Sequence, residues 1–218
     1  MRGLTLVTDR ALCGGRVQEV VRQAVQGGIA CVQLRDKDLG TRAFVEEAAR
    51  IKALLAPARI PLIINDRVDV ALAVGAEGVH LGQDDLPCEI ARRLLGPGTI
   101  IGLSVETWQD VERAQSQPVD YLGISPIFAT PTKTDTKGPW GLAGLARIRS
   151  FSRHPLVAIG GLNRDNIADV VRAGALGIAV VSAICAAEHP KNAAEELSAI
   201  IEAAQSERAS CGRPMPSL

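Results

Sequence analysis

Short apolar runs, each closing on a polar cluster, alternate along this chain with stretches of helical period. The clearest instance lies between Pro61 and Asp85. Leu62, Ile63 and Ile64 make the unbroken apolar run of a buried parallel strand, and the run stops at Asn65-Asp66. Val68, Ala71, Leu72 and Val74 then recur at helical spacing, and Gly75 suits the stop. Val79 and Leu81 begin the next strand, which ends at Gly82-Gln83-Asp84-Asp85. In a right-handed βαβ unit both strand ends lie on one side of the sheet. Asn65, Asp66 and one of Asp84 and Asp85 are therefore expected to converge.

The same alternation covers the rest of the chain. Strands are predicted at Leu4–Asp9, Ala30–Arg35, Thr99–Ser104, Asp120–Ser125, Pro155–Gly160 and Gly177–Ser182. In the second of these, Val32 and Leu34 face one way, and Gln33 and Arg35 the other. Helices are predicted from Val17 to the stop at Gly27-Gly28, from Thr41 (as N-cap) to Leu55, through Ile90 and Leu94, from about Glu106, through Leu142 and Ile148, from Asn163 to Ala173, and from Pro190 to Ala204. Residues 126–141 (PIFATPTKTDTKGPWG) have no period and read as a functional loop. Eight strands alternating with eight helices predict an α/β (β/α)8 TIM barrel. The expected layout is a single barrel domain over residues 1–206 and a frayed tail over 207–218.

Composition narrows the function. In 218 residues, Lys plus Arg equals Asp plus Glu at 24 each, so no global field invites nucleic acid or an anionic membrane. The five cysteines are scattered without a C-x-x-C pair, which suits thiols in a reducing cytoplasm. The opening MRGLTLVTDR is charged too soon for a signal peptide, and no apolar run is long enough to span a bilayer. The expected partners are small phosphorylated molecules, and a homo-oligomer is left open.

In a barrel of this kind, chemistry sits where strands end. Those ends carry Gln33, Arg35 and Lys37, then Asn65 and Asp66, Asp84 and Asp85, Ser104, the loop residues Thr130, Thr132 and Lys133, Gly160 and Gly161, and Val181 and Ser182. Two carboxylates at one mouth are unfavourable unless a cation lies between them, and hard oxygen ligands with a phosphate suit Mg²⁺. The same residues also suit a helix cap at Asp66 and a solvated turn before Pro87, so at this level both readings stand. Gly160-Gly161 lets backbone N–H groups approach an anion, with the helix from Asn163 adding its positive end and the helix after the last strand closing the pocket. Of the histidines, His80 reads as a packed core residue, and His154 and His189 as solvated.

The segments VQLRDKD, IINDRVDVALAVGAEGVHLGQDDLP, IIGLS, PIFATPTK, VAIGGL and VVSAI, in that order, resemble the thiamine-phosphate synthase family over nearly the whole chain. The resemblance implies a Mg²⁺-dependent transferase. It would join a hydroxymethylpyrimidine diphosphate to a hydroxyethylthiazole phosphate by a dissociative route, releasing pyrophosphate. Gln33 would contact the pyrimidine, and Arg35, Lys37, Asn65, Ser104 and Lys133 the diphosphate. Arg35, Lys37 and Lys133 would be the catalytic cations. Asp66 and Asp85 would be the metal ligands, which selects Asp85 over Asp84. Thr130, Thr132, Gly161, Val181 and Ser182 would hold the thiazole phosphate. Ser125, Arg67 and Trp140 depart from the common pattern. The alternatives of the same fold are a thiazole tautomerase and a non-catalytic thiazole-phosphate binder, neither of which needs the acidic pair.

Overall fold

The structure is a computed structural model that describes residues 2–130 and 138–210. Eight parallel strands close into a barrel in sequence order: β1 (Gly3–Val7), β2 (Cys31–Leu34), β3 (Leu62–Asn65), β4 (Gly78–Leu81), β5 (Ile100–Val105), β6 (Tyr121–Ile124), β7 (Leu156–Ala158) and β8 (Gly177–Val180). The barrel seals where β1 pairs with β8, Leu4 beside Ile178 and Leu6 beside Val180. Helices α1 (Val17–Gln26), α2 (Thr41–Leu55), α3 (Val68–Val74), α4 (Cys88–Leu95), α5 (Trp108–Ala114), α6 (Gly141–Phe151) and α7 (Ile167–Ala173) follow the first seven strands. A short α8 (Ser182–Cys185) and a long α9 (Pro190–Ser210) follow the eighth.

Strand alternation separates two cores. Leu4, Leu6, Val32, Leu34, Leu62, Ile64, Val79, Leu81, Ile101 and Leu103 point outward into one apolar layer shared with the helices. Inside the barrel the apolar cluster is small: Val7, Tyr121, Val157 and Ala179, with Ile100, Ile159 and Val181 against it. Cys31 and Ile63 also point inward, and the remaining inward positions are polar or glycine, so the barrel is filled at its base and open to chemistry at its C-terminal end.

Four local expectations are corrected. Thr41 is the first residue of α2 and Gly40 is the cap; the Thr41 hydroxyl instead accepts from Arg67 Nη2 at 2.9 Å. The helix expected from Asn163 begins at Ile167. Asn163 and Asn166 form a side-chain turn first, with Asn163 N–H donating to Asn166 Oδ1 at 3.0 Å and Asp165 N–H to Asn163 Oδ1 at 2.9 Å. His154 is buried, its ring bonded to the Ala114 carbonyl through Nε2 at 3.0 Å. Residues 207–210, expected in the tail, continue α9 because two side chains tie them down: Arg172 bonds Glu207 at 2.9 Å, and Arg208 donates to the Val171 and Ala175 carbonyls at the end of α7.

Candidate active site

A cavity of about 1080 Å³ opens at the C-terminal ends of the strands. Gln33, Arg35, Lys37, Asn65, Asp66, Asp84, Asp85, Ser104, Thr130, Gly160, Gly161, Val181 and Ser182 all line it. Thr132 and Lys133 lie outside the described residues.

The acidic pair is assembled by two turns. Asp66 follows β3 with a left-handed backbone, φ 63°. Its N–H donates to the His80 carbonyl at 2.8 Å, and Arg67 N–H closes back on the Asn65 carbonyl at 2.8 Å. A residue held at positive φ without being glycine is stored strain, which Asp tolerates better than most. Asp85 follows β4, and its Oδ2 accepts from Gly82 N–H at 2.6 Å. The two carboxyls meet: burial first, then a hydrogen bond with Asp85 and repulsion from it, push Asp66 up to about 6, against the pull of Lys37 and Arg35. Asp84 lines the same mouth but is exposed. Arg67 turns away, bonding Asp69 at 2.6 and 2.9 Å.

The basic side is set by β1 and β2. The buried Thr8 hydroxyl accepts from Arg35 N–H at 3.0 Å and donates to its carbonyl at 3.2 Å. Asp9 Oδ2 lies 3.6 Å from Arg35 Nη1. Next along the loop, Asp36 is held by Arg10 at 2.5 Å and by the N–H groups of Asp38 and Leu39. These contacts fix the strand end and loop that carry Arg35 and Lys37, whose charges act on Asp66 in the same cavity.

Across the cavity main-chain groups stand beside the side chains of Thr130, Asn163 and Ser182. Gly160 and Gly161 have φ 97° and 69°. A Cβ at Gly160 would lie 2.6 Å from Pro126 Cβ, and one at Gly161 2.8 Å from the Ala129 carbonyl. Glycine is required here both by the turn and by the closeness of the loop after β6. Asn166 Nδ2 clamps the Gly161 carbonyl at 2.9 Å. Because α7 starts only at Ile167, its positive end stands back from Gly161, and the helix start beside the pocket is that of α8 at Ser182.

Strand-end reasoning missed the floor. His80 is nearly buried, with Nδ1 2.8 Å from the Tyr121 hydroxyl and Nε2 2.8 Å from Ser104 Oγ. It is packed, as expected, but it also lines the cavity. A polar residue in the middle of the otherwise apolar β4 was the available signal. Asp9, at the end of the first predicted strand, was visible by the same rule that found Asp66.

Two carboxylates in one cavity with Arg35 and Lys37, facing glycine turns, fit a hard divalent cation. Among the described residues no third His, Cys, Asp or Glu joins them in a metal-holding group. No helix among the described residues is long and apolar enough to cross a membrane.

Comparison with known proteins gives the family and the fold. The family profile described as thiamine monophosphate synthase matches residues 4–184. A thiamine-phosphate synthase of Albidiferax ferrireducens is 60% identical over 201 residues, covering 92% of each chain. One from Vibrio parahaemolyticus is 52% identical over 199 residues, covering 91% of this chain and 98% of its own. Among solved structures, a thiamine phosphate pyrophosphorylase from Pyrococcus furiosus superposes with a TM-score of 0.86 at 40% identity, covering 93% of this chain and 96% of that one.

Proposed function

The chain belongs to the thiamine monophosphate synthase family, and from that premise we propose how its barrel mouth divides the work. The enzyme condenses pyrimidine and thiazole moieties to thiamine phosphate. In our reading the donor is 4-amino-2-methyl-5-hydroxymethylpyrimidine diphosphate and the acceptor 4-methyl-5-(2-hydroxyethyl)thiazole phosphate. The observation that carries this reading is the meeting of Asp66 and Asp85 in one cavity with Arg35 and Lys37.

Gln33 positions the pyrimidine. Arg35, Lys37, Asn65, Ser104 and, from the loop, Lys133 hold the diphosphate. Asp66 and Asp85 would hold Mg²⁺, which when bound would supply positive charge against the leaving group. The bond between the pyrimidine methylene carbon and the diphosphate oxygen breaks first. Its electron pair leaves on pyrophosphate, stabilised by Arg35, Lys37 and Lys133. The resulting pyrimidine-stabilised cation is captured by the ring nitrogen of the thiazole. Thr130, Thr132, the backbone at Gly161 and Val181, and Ser182 hold the acceptor's phosphate so that this nitrogen faces the carbon. No acid–base step is needed, which suits a mouth rich in fixed charge.

The test mixes both phosphorylated precursors with and without Mg²⁺ and measures pyrophosphate. Metal-dependent release equal to thiamine phosphate formed is expected. Equal rates in EDTA and in Mg²⁺ would refute the metal assignment.

A further inference from the structure

Beneath the mouth, three strands place a polar group where a barrel floor is normally apolar. The register sets His80 of β4 beside Gly102 of β5, and Gly102 beside Tyr121 of β6. Gly102 is the bridge: a Cβ there would lie 2.1 Å from Tyr121 Cζ and 2.5 Å from His80 Nδ1. With only hydrogen at that position, imidazole and phenol reach each other across the intervening strand. Gly123 makes the second space, since its Cβ would lie 2.8 Å from His80 Cε1. One register step further, Ser104 lies beside Gly123, which lets the other ring nitrogen reach the Ser104 hydroxyl. Two glycines thus shape a slot for one imidazole orientation.

The chemistry of the contacts sets the direction of the protons. Tyr121 is fully buried, and burial holds its phenol well above the usual range, so it stays protonated. Among the described residues the hydrogen bond found for the phenol is the one with His80 Nδ1, at 2.8 Å. The phenol O–H is then directed to His80 Nδ1. A neutral imidazole that accepts at Nδ1 carries its proton on Nε2. Nε2–H donates to Ser104 Oγ, and the Ser104 proton is left to point up into the cavity.

We propose that His80, locked by Tyr121, is the positioning residue for Ser104, turning its hydroxyl into an obligate donor toward the diphosphate of the pyrimidine substrate. The proposal rests on the assignment of Ser104 to the diphosphate made above. The opposite tautomer would take the Ser104 proton into the floor and present a lone pair to an anion, which is repulsive. The floor therefore acts by excluding that tautomer.

A double-mutant cycle tests this in the full-length enzyme. Ser104→Ala is expected to lower kcat/KM for the pyrimidine diphosphate by about 10- to 100-fold, the loss of one hydrogen bond to a charged group, with KM for the thiazole phosphate unchanged. Tyr121→Phe, which keeps the ring and frees the tautomer, is expected to reproduce that split with a smaller loss. In the Ser104→Ala background Tyr121→Phe should cost less than about twofold more, because both act through one hydroxyl. His80→Gln, whose amide can still donate, should recover part of the loss seen in His80→Leu. If Ser104→Ala leaves both parameters unchanged, the diphosphate assignment of Ser104 fails. If Ser104→Ala is impaired but the losses multiply in the double variant, or raise KM for both substrates alike, the assignment survives and the positioning role is overturned.

Discussion

On the β2–β5 side of the mouth the polar groups are side chains, and they oppose one another in sign: Arg35 and Lys37 against Asp66 and Asp85. On the β7–β8 side they are mostly main-chain, at Gly160, Gly161 and Val181. On the proposed assignment, the first half needs charge that can be neutralised and re-formed as a diphosphate departs. The second then needs only a fixed cradle for a phosphate that takes no part in bond breaking. Side chains supply strong, adjustable charge; amides at tight glycine turns supply direction at no charge of their own. The halves should therefore fail differently when altered.

The largest effect is expected on the charged half. Asp66→Ala should lower turnover by about 10²–10³, roughly 3–4 kcal/mol, as when one preorganised electrostatic element is lost. Near-normal turnover with the fold intact would reduce Asp66 to a turn residue. On the main-chain half, Gly161→Ala meets both positive φ and a carbonyl 2.8 Å away. It should destabilise the fold by about 1–3 kcal/mol and raise KM for the thiazole phosphate, sparing KM for the pyrimidine diphosphate. A rise confined to the pyrimidine substrate would exchange the roles of the halves.

The pH dependence separates them further. Asp66 stands at about 6 in the fold against an ordinary 3.8. Its contribution to the stability of the metal-free protein is therefore fully present below about 3.8 and lost as the pH rises through about 6. Bound Mg²⁺ requires the ionised form, so metal affinity should fall as the pH drops below about 6. Thermal melts in EDTA should show wild type losing stability relative to Asp66→Asn as the pH rises from 4 to 7, and titration calorimetry should show Mg²⁺ binding weakening below pH 6. A pH-independent difference in stability would mean that the fold does not hold Asp66 above its ordinary value. The smallest effect is expected at Ser182→Ala, less than about threefold in KM for the thiazole phosphate, because the neighbouring amides remain and an exposed hydroxyl adds little.

Strand order, helix order and the chemistry of most strand ends were legible in the pattern. Leu62 to Ile64 is apolar because β3 is buried on both faces, and Asn65-Asp66 is polar because the strand ends there. The helix boundaries were less legible where side chains replace backbone bonds. Asn163 and Asn166 delay α7, and Arg208, four residues past the last expected core position at Ala204, extends α9 through carbonyls of another helix. The floor was illegible for a related reason. His80 and Tyr121 are 41 residues apart, and their contact depends on glycine at Gly102.

Local periodicity and the chemistry of run endings were enough to specify a closed eight-stranded α/β barrel with acids and bases at one rim, because burial acts on each strand and helix separately. Spacing left Asp84 and Asp85 equivalent, and only likeness to the family chose between them. Tertiary structure decided what meets what: Asp85 held by Gly82 N–H and brought beside Asp66, Asp66 bent into a left-handed turn, and an imidazole fixed between a phenol and a hydroxyl. Those contacts follow from register and closure, which join residues far apart in the chain and so leave no local trace in it.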